Sequence, residues 1–151
     1  GYDIGGLRAL ITYSDAESEL DAFDEYSQYQ GARIDRQQGD TWSVNLDYTF
    51  SNLDLALHYD VLMVDDVAAG PDLDGASLEN AKDGFTVHNI SLQWQPLQRL
   101  QLTAGIDNVF DEFYASQSSR TGTSFHPRFG QLYLTDYEPG RNIKATVAYQ
   151  F

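Results

Sequence analysis

The residues of this sequence that could carry chemistry are few, and they are scattered along the chain. His58 stands two positions before Asp60, and His126 lies in the segment TSFHPRFG close to Arg128. Catalysis and metal binding need such groups in set combinations, and no Ser-His-Asp order, phosphate loop or close histidine and carboxylate ligand spacing is convincing. The sequence therefore predicts no catalytic residue, no metal ligand, no cofactor and no enzymatic activity.

Charge and composition exclude further classes of function. The formal net charge is −14 and cysteine is absent, so we expect neither a nucleic-acid surface nor a disulfide or thiolate metal site. The acidic stretch DAESELDAFDEYSQYQ at 15–30 offers carboxylates to a divalent cation, but it lacks the regular ligand spacing of a calcium loop. A solvated acidic loop is the favoured interpretation of this stretch.

Hydrophobic periodicity gives the elements that must position these groups. A period of two residues predicts six β-strands, at 4–14, 41–50, 53–64, 85–95, 100–107 and 143–151. Short links at 51–52 and 96–99 alternate with long segments at 15–40, 65–84 and 108–142. Because hairpin partners need only a few linking residues, we expect an all-β, antiparallel, up-and-down sheet with tight turns at one rim and long loops at the other.

Two irregularities are expected within this pattern. The apolar phase of the fourth predicted strand changes between Val87 and Ile90, which predicts a β-bulge near His88 and Asn89. The stretch QLYLTDY at 131–137 also alternates, and we expect it to extend the flanking strands beyond the main sheet.

Each predicted strand has one apolar face and one polar face. In TWSVNLDYTF at 41–50, for example, Leu46 lies on the apolar face while Asn45 and Asp47 lie on the polar face. Aromatic residues gather at the two rims: Phe50, Trp94, Tyr149 and Phe151 at the short-turn rim, and Tyr13, Trp42 and Phe85 at the long-loop rim. Two aromatic belts around an aliphatic band are typical of outer-membrane barrels, so the apolar face is predicted to meet lipid. A soluble sandwich or lipocalin-like barrel shows the same alternation and remains the alternative.

The number of strands indicates a part of a larger barrel. Closed bacterial single-chain barrels have about eight strands at the least, and six are predicted here. Promoting 23–34 and 129–137 to strands would give eight, but the alternation of tight turns and long loops would then be lost.

Several short motifs carry a family resemblance. The segments WQP at 94–96, NVFDEFY at 108–114 and YEPGRNIKATVAYQF at 137–151 resemble the C-terminal end of TonB-dependent outer-membrane receptors. In that family an Asn-x-Phe-Asp-x-x-Tyr segment ends a strand, a long loop follows, and Pro-Gly-Arg precedes a final strand that closes on Phe. The matching residues are Asn108, Phe110, Asp111, Tyr114, Pro139, Gly140, Arg141 and Phe151.

These motif residues also have a physical interpretation. Asn and Asp after a strand favour a turn through side-chain to backbone hydrogen bonds, which would end the strand near Asn108. Pro139 lacks an N–H and Gly140 tolerates unusual dihedral angles, so the pair suits a bend where the loop leads into the last strand. Arg141 either pairs with a loop carboxylate or remains solvated, and the sequence leaves both open.

The resemblance implies an architecture, a location and a set of partners. Members of the family have a barrel of about 22 strands with a plugged lumen, and take up scarce ligands such as ferric siderophores, haem or cobalamin with energy supplied through TonB. Residues 1–151 would form the last six strands in the bacterial outer membrane, with the plug domain and the TonB box outside this sequence. The implied partners are outer-membrane lipid, the TonB complex, an iron chelate or haem, and the barrel-assembly machinery, which reads the terminal Phe151.

The resemblance also assigns candidate ligand contacts. External loops of such receptors touch the ligand, so Tyr26, Tyr29, His126 and Arg128 are predicted to bind it. Two other functions remain open at this point, namely a passive porin or small closed outer-membrane barrel, and a soluble ligand-binding β-barrel.

Overall fold

The protein forms one long antiparallel sheet and one separate hairpin. The computed structural model describes residues 1–15, 21, 23–25, 39–67, 81–116, 123–126, 128, 130–133 and 137–151. Within these ranges the strands are β1 (Tyr2–Ile4), β2 (Leu7–Ser14), β3 (Thr41–Phe50), β4 (Leu55–Val64), β5 (Phe85–Leu97), β6 (Leu100–Asp107), β7 (Thr123–His126), β8 (Gly130–Tyr133) and β9 (Asn142–Tyr149). The main sheet has the order β1-β2-β3-β4-β5-β6-β9, and β7 pairs only with β8. No helix in the described part of the chain is long and apolar enough to cross a membrane.

Six long strands confirm the predicted all-β, up-and-down arrangement. Tight turns at 51–54 and 98–99 join β3 to β4 and β5 to β6, and the strand ends that the long connections join all lie at the opposite rim. Strands that follow one another in the chain are therefore neighbours in the main sheet. The exception is β6, whose neighbour is β9, because the β7–β8 hairpin lies between them in sequence but outside the main sheet.

The first predicted strand is wrong in one respect, because it is a hairpin rather than a single strand. Gly5 and Gly6 have φ angles of 59° and 89°, and β1 folds back so that Ile4 lies opposite Leu7. Two consecutive residues with positive φ make the two-residue turn that matches the twist of β-strands, and a glycine pair adopts it without strain.

The predicted bulge near His88 and Asn89 is wrong. The register between β4 and β5 runs without a break from Leu55 opposite Trp94 to Val64 opposite Phe85. A register shift occurs instead between β5 and β6, in the stretch from Trp94 to Leu97. A bulge would have brought the apolar residues at the start of β5 onto the apolar face. Without it they lie on the other face.

The unbroken register places Phe85 and Val87 on the polar face, beside Asn89. Phe85 therefore does not belong to the aromatic belt to which its sequence position assigned it. Its ring packs against Tyr114 with centroids 4.4 Å apart, and Val87 is only 5% exposed. The apolar phase change in the sequence reflects a small apolar cluster at the loop end of the polar face.

The predicted extension of the flanking strands by residues 131–137 is also wrong. β8 pairs with β7 from Thr123 opposite Tyr133 to His126 opposite Gly130. Tyr137 forms an isolated bridge with Ala115. The last long connection thus contains a hairpin of its own.

The last strand ends slightly earlier than predicted. β9 stops at Tyr149, although the Gln150 N–H still donates to the Arg99 carbonyl at 2.9 Å. Phe151 is fully exposed, and its ring meets Tyr149 edge-on with centroids 5.2 Å apart.

The described residues do not cover the apolar face of the sheet. The buried hydrophobic residues lie at the loop end of β4 and β5 and just beyond: Val61, Val64, Val67 and Val87. On the apolar face, Ile11 is 61%, Val147 70% and Ile143 74% exposed. A soluble domain buries such a face against a second layer, and the described chain supplies none.

Candidate functional site

A row of hydrogen-bonded polar side chains crosses the polar face, and we call it the polar ladder: Asp47, His58, Asp60, Asn89 and Asn108. Strand pairing sets them side by side, since Asp47 lies opposite His58 and Asp60 lies opposite Asn89. The His58 ring is shared by two carboxylates, with Nδ1 2.6 Å from Asp47 Oδ1 and Nε2 3.4 Å from Asp60 Oδ1. The Asn89 amide donates to Asp60 Oδ2 at 2.7 Å, and its oxygen accepts from the Asn108 N–H at 2.9 Å.

The polar ladder forms a hydrogen-bonded polar surface. Its carboxylates are partly shielded, with the Asp60 side chain 26% exposed, and hydrogen bonds inside such a network hold the side chains in one arrangement. No nucleophile is set against His58 in the hydrogen bonds that order it. The described residues also contain no group of three or more His, Cys, Asp or Glu side chains that could hold a metal ion.

A cavity of about 320 Å³ lies on the polar face at the loop end of the polar ladder. Its lining is mixed, with Asp60, Asn89 and Asp107 beside the apolar Leu62 and Val87. Ligand cavities commonly combine apolar walls with a few placed polar groups. This cavity therefore has the chemical character of a ligand-contacting surface at the rim where the long loops emerge.

A second, wider groove of about 510 Å³ continues the same face toward the tight turns. Arg8, Asp47, His58, Gln93 and Thr103 are among the residues that line it. With Lys144 of β9 ion-paired to Asp107 of β6, polar groups extend along this face from the tight turns to the apolar cluster at its loop end. The predicted division into one wet face and one apolar face is thus confirmed in the described strands.

Asn108 is the pivot at which β6 ends. It has a φ of 52° and is 3% exposed, and its amide accepts from the Glu112 N–H at 2.7 Å while donating to the Glu112 carbonyl at 2.8 Å. Asparagine tolerates the left-handed conformation and can satisfy both backbone groups of one residue at once. The turn predicted from this residue therefore has an atomic basis.

Asp111 connects the turn to the start of β9. Its Oδ1 accepts from the Arg141 N–H at 2.7 Å, and its Oδ2 lies 3.7 Å from Arg141 Nη2. Gly140 permits this approach, because a Cβ at that position would stand 2.7 Å from Asp111 Oδ1. Of the two alternatives for Arg141, the structure shows pairing with a loop carboxylate.

The remaining motif residues lie around this connection. Tyr114 is half-buried against Phe85, and burial raises the pKa of its hydroxyl, with the nearby Glu138 carboxylate raising it further. Phe110 is 69% exposed and meets the His88 ring edge-on at 4.8 Å. Pro139 precedes Gly140 in the segment that leads into β9, whereas Phe151 lies at the far rim.

The four predicted ligand contacts are not brought together by the described part of the chain. Tyr26 and Tyr29 lie outside the described residues. The backbone of His126 ends β7, and Arg128 is exposed between β7 and β8. Both remain predictions as ligand contacts.

His88 is a titratable side chain whose surroundings the sequence did not predict. It lies on the apolar face opposite Val61, where Nδ1 is 2.7 Å from the Tyr59 hydroxyl. A polar ring on an apolar face is costly unless it is hydrogen-bonded, and Tyr59 supplies the partner. An unbroken alternation through β5 would have placed His88 on the apolar face. The bulge expected at His88 and Asn89 interrupted that alternation.

Comparison with known proteins identifies the fold. No protein-family model matches the sequence, and no curated protein matches it. Among solved structures, the chain is similar to the FrpB iron transporter from Neisseria meningitidis (F3-3 variant), with a TM-score of 0.70 and 26% identity over 99% of this chain and 22% of that chain.

Two further transporters share the fold at lower identity. The ferric-catecholate import receptor Fiu from K12 E. coli gives a TM-score of 0.68 and 14% identity over 97% of this chain and 19% of that chain. The copper transporter OprC gives a TM-score of 0.68 and 16% identity over 99% of this chain and 22% of that chain. The chain thus spans about a fifth of the length of each of these proteins, which are transporters and receptors rather than enzymes.

Proposed function

We propose that this chain, which fits a C-terminal barrel segment of a TonB-dependent receptor, is part of an outer-membrane transporter that takes up a scarce metal chelate. The observation that supports it is a sheet with many large apolar side chains exposed on one face, while hydrogen-bonded polar groups occupy the other. Lipid is the one solvent that stabilises such an apolar face without a second protein layer.

In this proposal the two faces meet different surroundings. The apolar face contacts the hydrocarbon of the outer membrane, and the polar ladder lines the barrel lumen. The six long strands are the last six of a barrel of about 22 strands, whose plug domain lies in another part of the polypeptide. The free edge of β9 pairs with a strand outside these 151 residues, which closes the barrel.

The proposed ligand is a ferric siderophore, haem or a similar chelate. The names of the similar structures specify iron, a ferric catecholate and copper, which supports a metal-bearing cargo. The external loops make the first contact, through Tyr26, Tyr29, His126 and Arg128, and the mixed cavity at the loop end of the polar ladder makes the next. TonB supplies the energy for rearranging the plug, and the lumen wall then guides the released ligand without any covalent step.

The test is uptake of a radiolabelled ferric siderophore and of haem by a Gram-negative host that lacks its own receptors for them. The full reading frame that encodes this chain should confer accumulation that disappears in a strain without TonB. Uptake that persists without TonB would indicate a passive porin, and recovery of the protein in the soluble fraction would indicate a soluble ligand-binding barrel. Either result would overturn the proposal.

A further inference from the structure

We infer that two segments at the long-loop rim, 108–116 and 137–141, form a clasp that fixes the register of β9 independently of the loop between them. This inference rests on the proposed function only in placing β9 at the closing seam of a barrel. It assigns a role in strand registration to residues that the sequence associates with the family.

The first half of the clasp is anchored to β5. Beyond the polar ladder's contact between Asn89 and Asn108, the Val109 N–H donates to the His88 carbonyl at 2.8 Å. The Phe110 ring packs edge-on against His88, and Tyr114 packs against Phe85. Residues 108–114 are therefore fixed to the loop end of β5 by both backbone and side-chain contacts.

The second half of the clasp is tied to the first by the backbone. The Glu138 N–H donates to the Tyr114 carbonyl at 2.9 Å, and Ala115 and Tyr137 form an antiparallel bridge. The Phe113 and Tyr137 rings stack with centroids 4.3 Å apart and an interplanar angle of 21°. The two chain segments are thus held together before the intervening loop begins.

The contact between Asp111 and the Gly140-Arg141 peptide sets which residue of the chain stands at the start of β9. One carboxylate oxygen accepts the Arg141 N–H, which is the last N–H before β9 begins. The absence of a Cβ on Gly140 permits that oxygen to approach. Moving β9 by one residue would replace this glycine at the contact, so the clasp admits a single register.

Registration matters for β9 more than for the other long strands. A slip of one residue exchanges the two faces of a strand, and would move Lys144 to the lipid side and Ile143 to the lumen. All eight residues of β9 are exposed in this chain, so burial of its side chains supplies little information about register. The clasp also closes the loop from 117 to 136 at its base, which leaves the loop free to differ in sequence without moving β9.

The test uses disulfide trapping in the full reading frame, because this chain contains no cysteine of its own. Thr103 and Thr146 are directly paired in the native register, so T103C with T146C reports that register through its disulfide yield. Slipped strands are reported by T103C with A145C. Directly opposed residues of antiparallel strands have the Cα separation that a disulfide needs.

Replacing residues 117–135 by Asn-Gly, which makes a two-residue hairpin turn, should leave the native disulfide yield unchanged. Asp111→Ala should lower the ratio of native to slipped disulfide about five-fold or more, because one hydrogen bond of about 1 kcal/mol corresponds to that factor and the left-handed backbone at Asp111 is strained for alanine as well. Asp111→Asn is the matched control, since it keeps an acceptor oxygen and tolerates the same backbone, and it should retain the native yield.

Gly140→Ala provides a second, independent arm. Alone it should lower the native yield, because its Cβ meets the Asp111 carboxylate; combined with Asp111→Ala it should lower the yield no further, because the opposing oxygen is gone. Additive losses, or a loop replacement as damaging as Asp111→Ala, would overturn the role of the clasp. Native disulfide yield without TonB-dependent uptake, in the T103C and T146C protein with its natural loop, would leave the clasp supported while overturning the proposed function.

Discussion

The two faces of the sheet are stabilised in opposite ways, although they alternate along the same strands. On the polar face, side chains bond to one another across β3, β4 and β5 through the polar ladder. On the apolar face, many large side chains remain exposed within the described chain, and Val147 is 70% exposed. The polar face is therefore specified by internal contacts, whereas the apolar face depends on whatever surrounds the sheet.

This difference shows why exposure alone is a poor guide to the solvent of a sheet. In a soluble β-protein the apolar face is buried and the polar face is exposed to water. Here the polar face contains the most ordered contacts, and the apolar face carries the least covered residues. The combination is characteristic of a barrel wall with a wet interior and a lipid exterior.

The largest effect is expected when the same charge is placed on each face in turn, at two neighbouring residues of β3. Leu46→Arg places a cation on the apolar face in the middle of β3, and near a bilayer centre this costs about 2–4 kcal/mol. Asn45→Arg places the same side chain on the polar face, one residue away, and should cost about 1 kcal/mol or less. The measurement is the assembled fraction of the full-length protein, read from its heat-modifiable mobility in electrophoresis. Equal losses for the two variants would contradict the assignment of the faces.

A medium effect is expected within the polar ladder. Asn89→Leu preserves the approximate shape but removes the donor to Asp60 and the acceptor for the Asn108 N–H, so two shielded polar groups lose partners. The expected cost is about 1–3 kcal/mol, measured by denaturant unfolding in detergent.

Ser91→Ala is the matched control, since it lies on the same face of β5 and outside the polar ladder. It should change stability by less than about 0.5 kcal/mol. If Asn89→Leu were as mild as this control, the polar ladder would be an ordinary hydrated surface.

The smallest effect is expected at the ion pair between Lys144 and Asp107. Both side chains are well exposed, at 60% and 43%, and solvent screening reduces such pairs to about 0–1 kcal/mol. Lys144→Met and Asp107→Asn, singly and together, should give a coupling free energy in that range which decreases with added salt. A coupling above about 2 kcal/mol would indicate that this part of the polar face is dry.

Much of the sheet could be predicted because strand alternation is a local property. The bounds of β3 and β6 were predicted without error and those of β4, β5 and β9 within two residues, since side chains of a strand point alternately to its two faces whatever the partner. The errors at Gly5-Gly6 and near His88 have one cause. In both places the apolar pattern was given more weight than backbone conformation or pairing.

The candidate site was predicted only in outline. Asp47 was placed on the polar face, but its contact with His58 and that of His58 with Asp60 depend on which residues of β3 and β4 lie opposite one another. Tyr26 and Tyr29 remain predictions, because they lie outside the described residues.

What the sequence by itself determined is the period of the strands, the two unlike faces, the alternation of turn lengths and the family motifs. All of these are set by residue types a few positions apart. The tertiary structure alone decided the strand register and the contacts that follow from it, such as His58 between two carboxylates and Asp111 against an N–H 30 residues further along the chain. The physical reason is that a hydrogen bond selects a partner in space, and strand order and register bring that partner within reach.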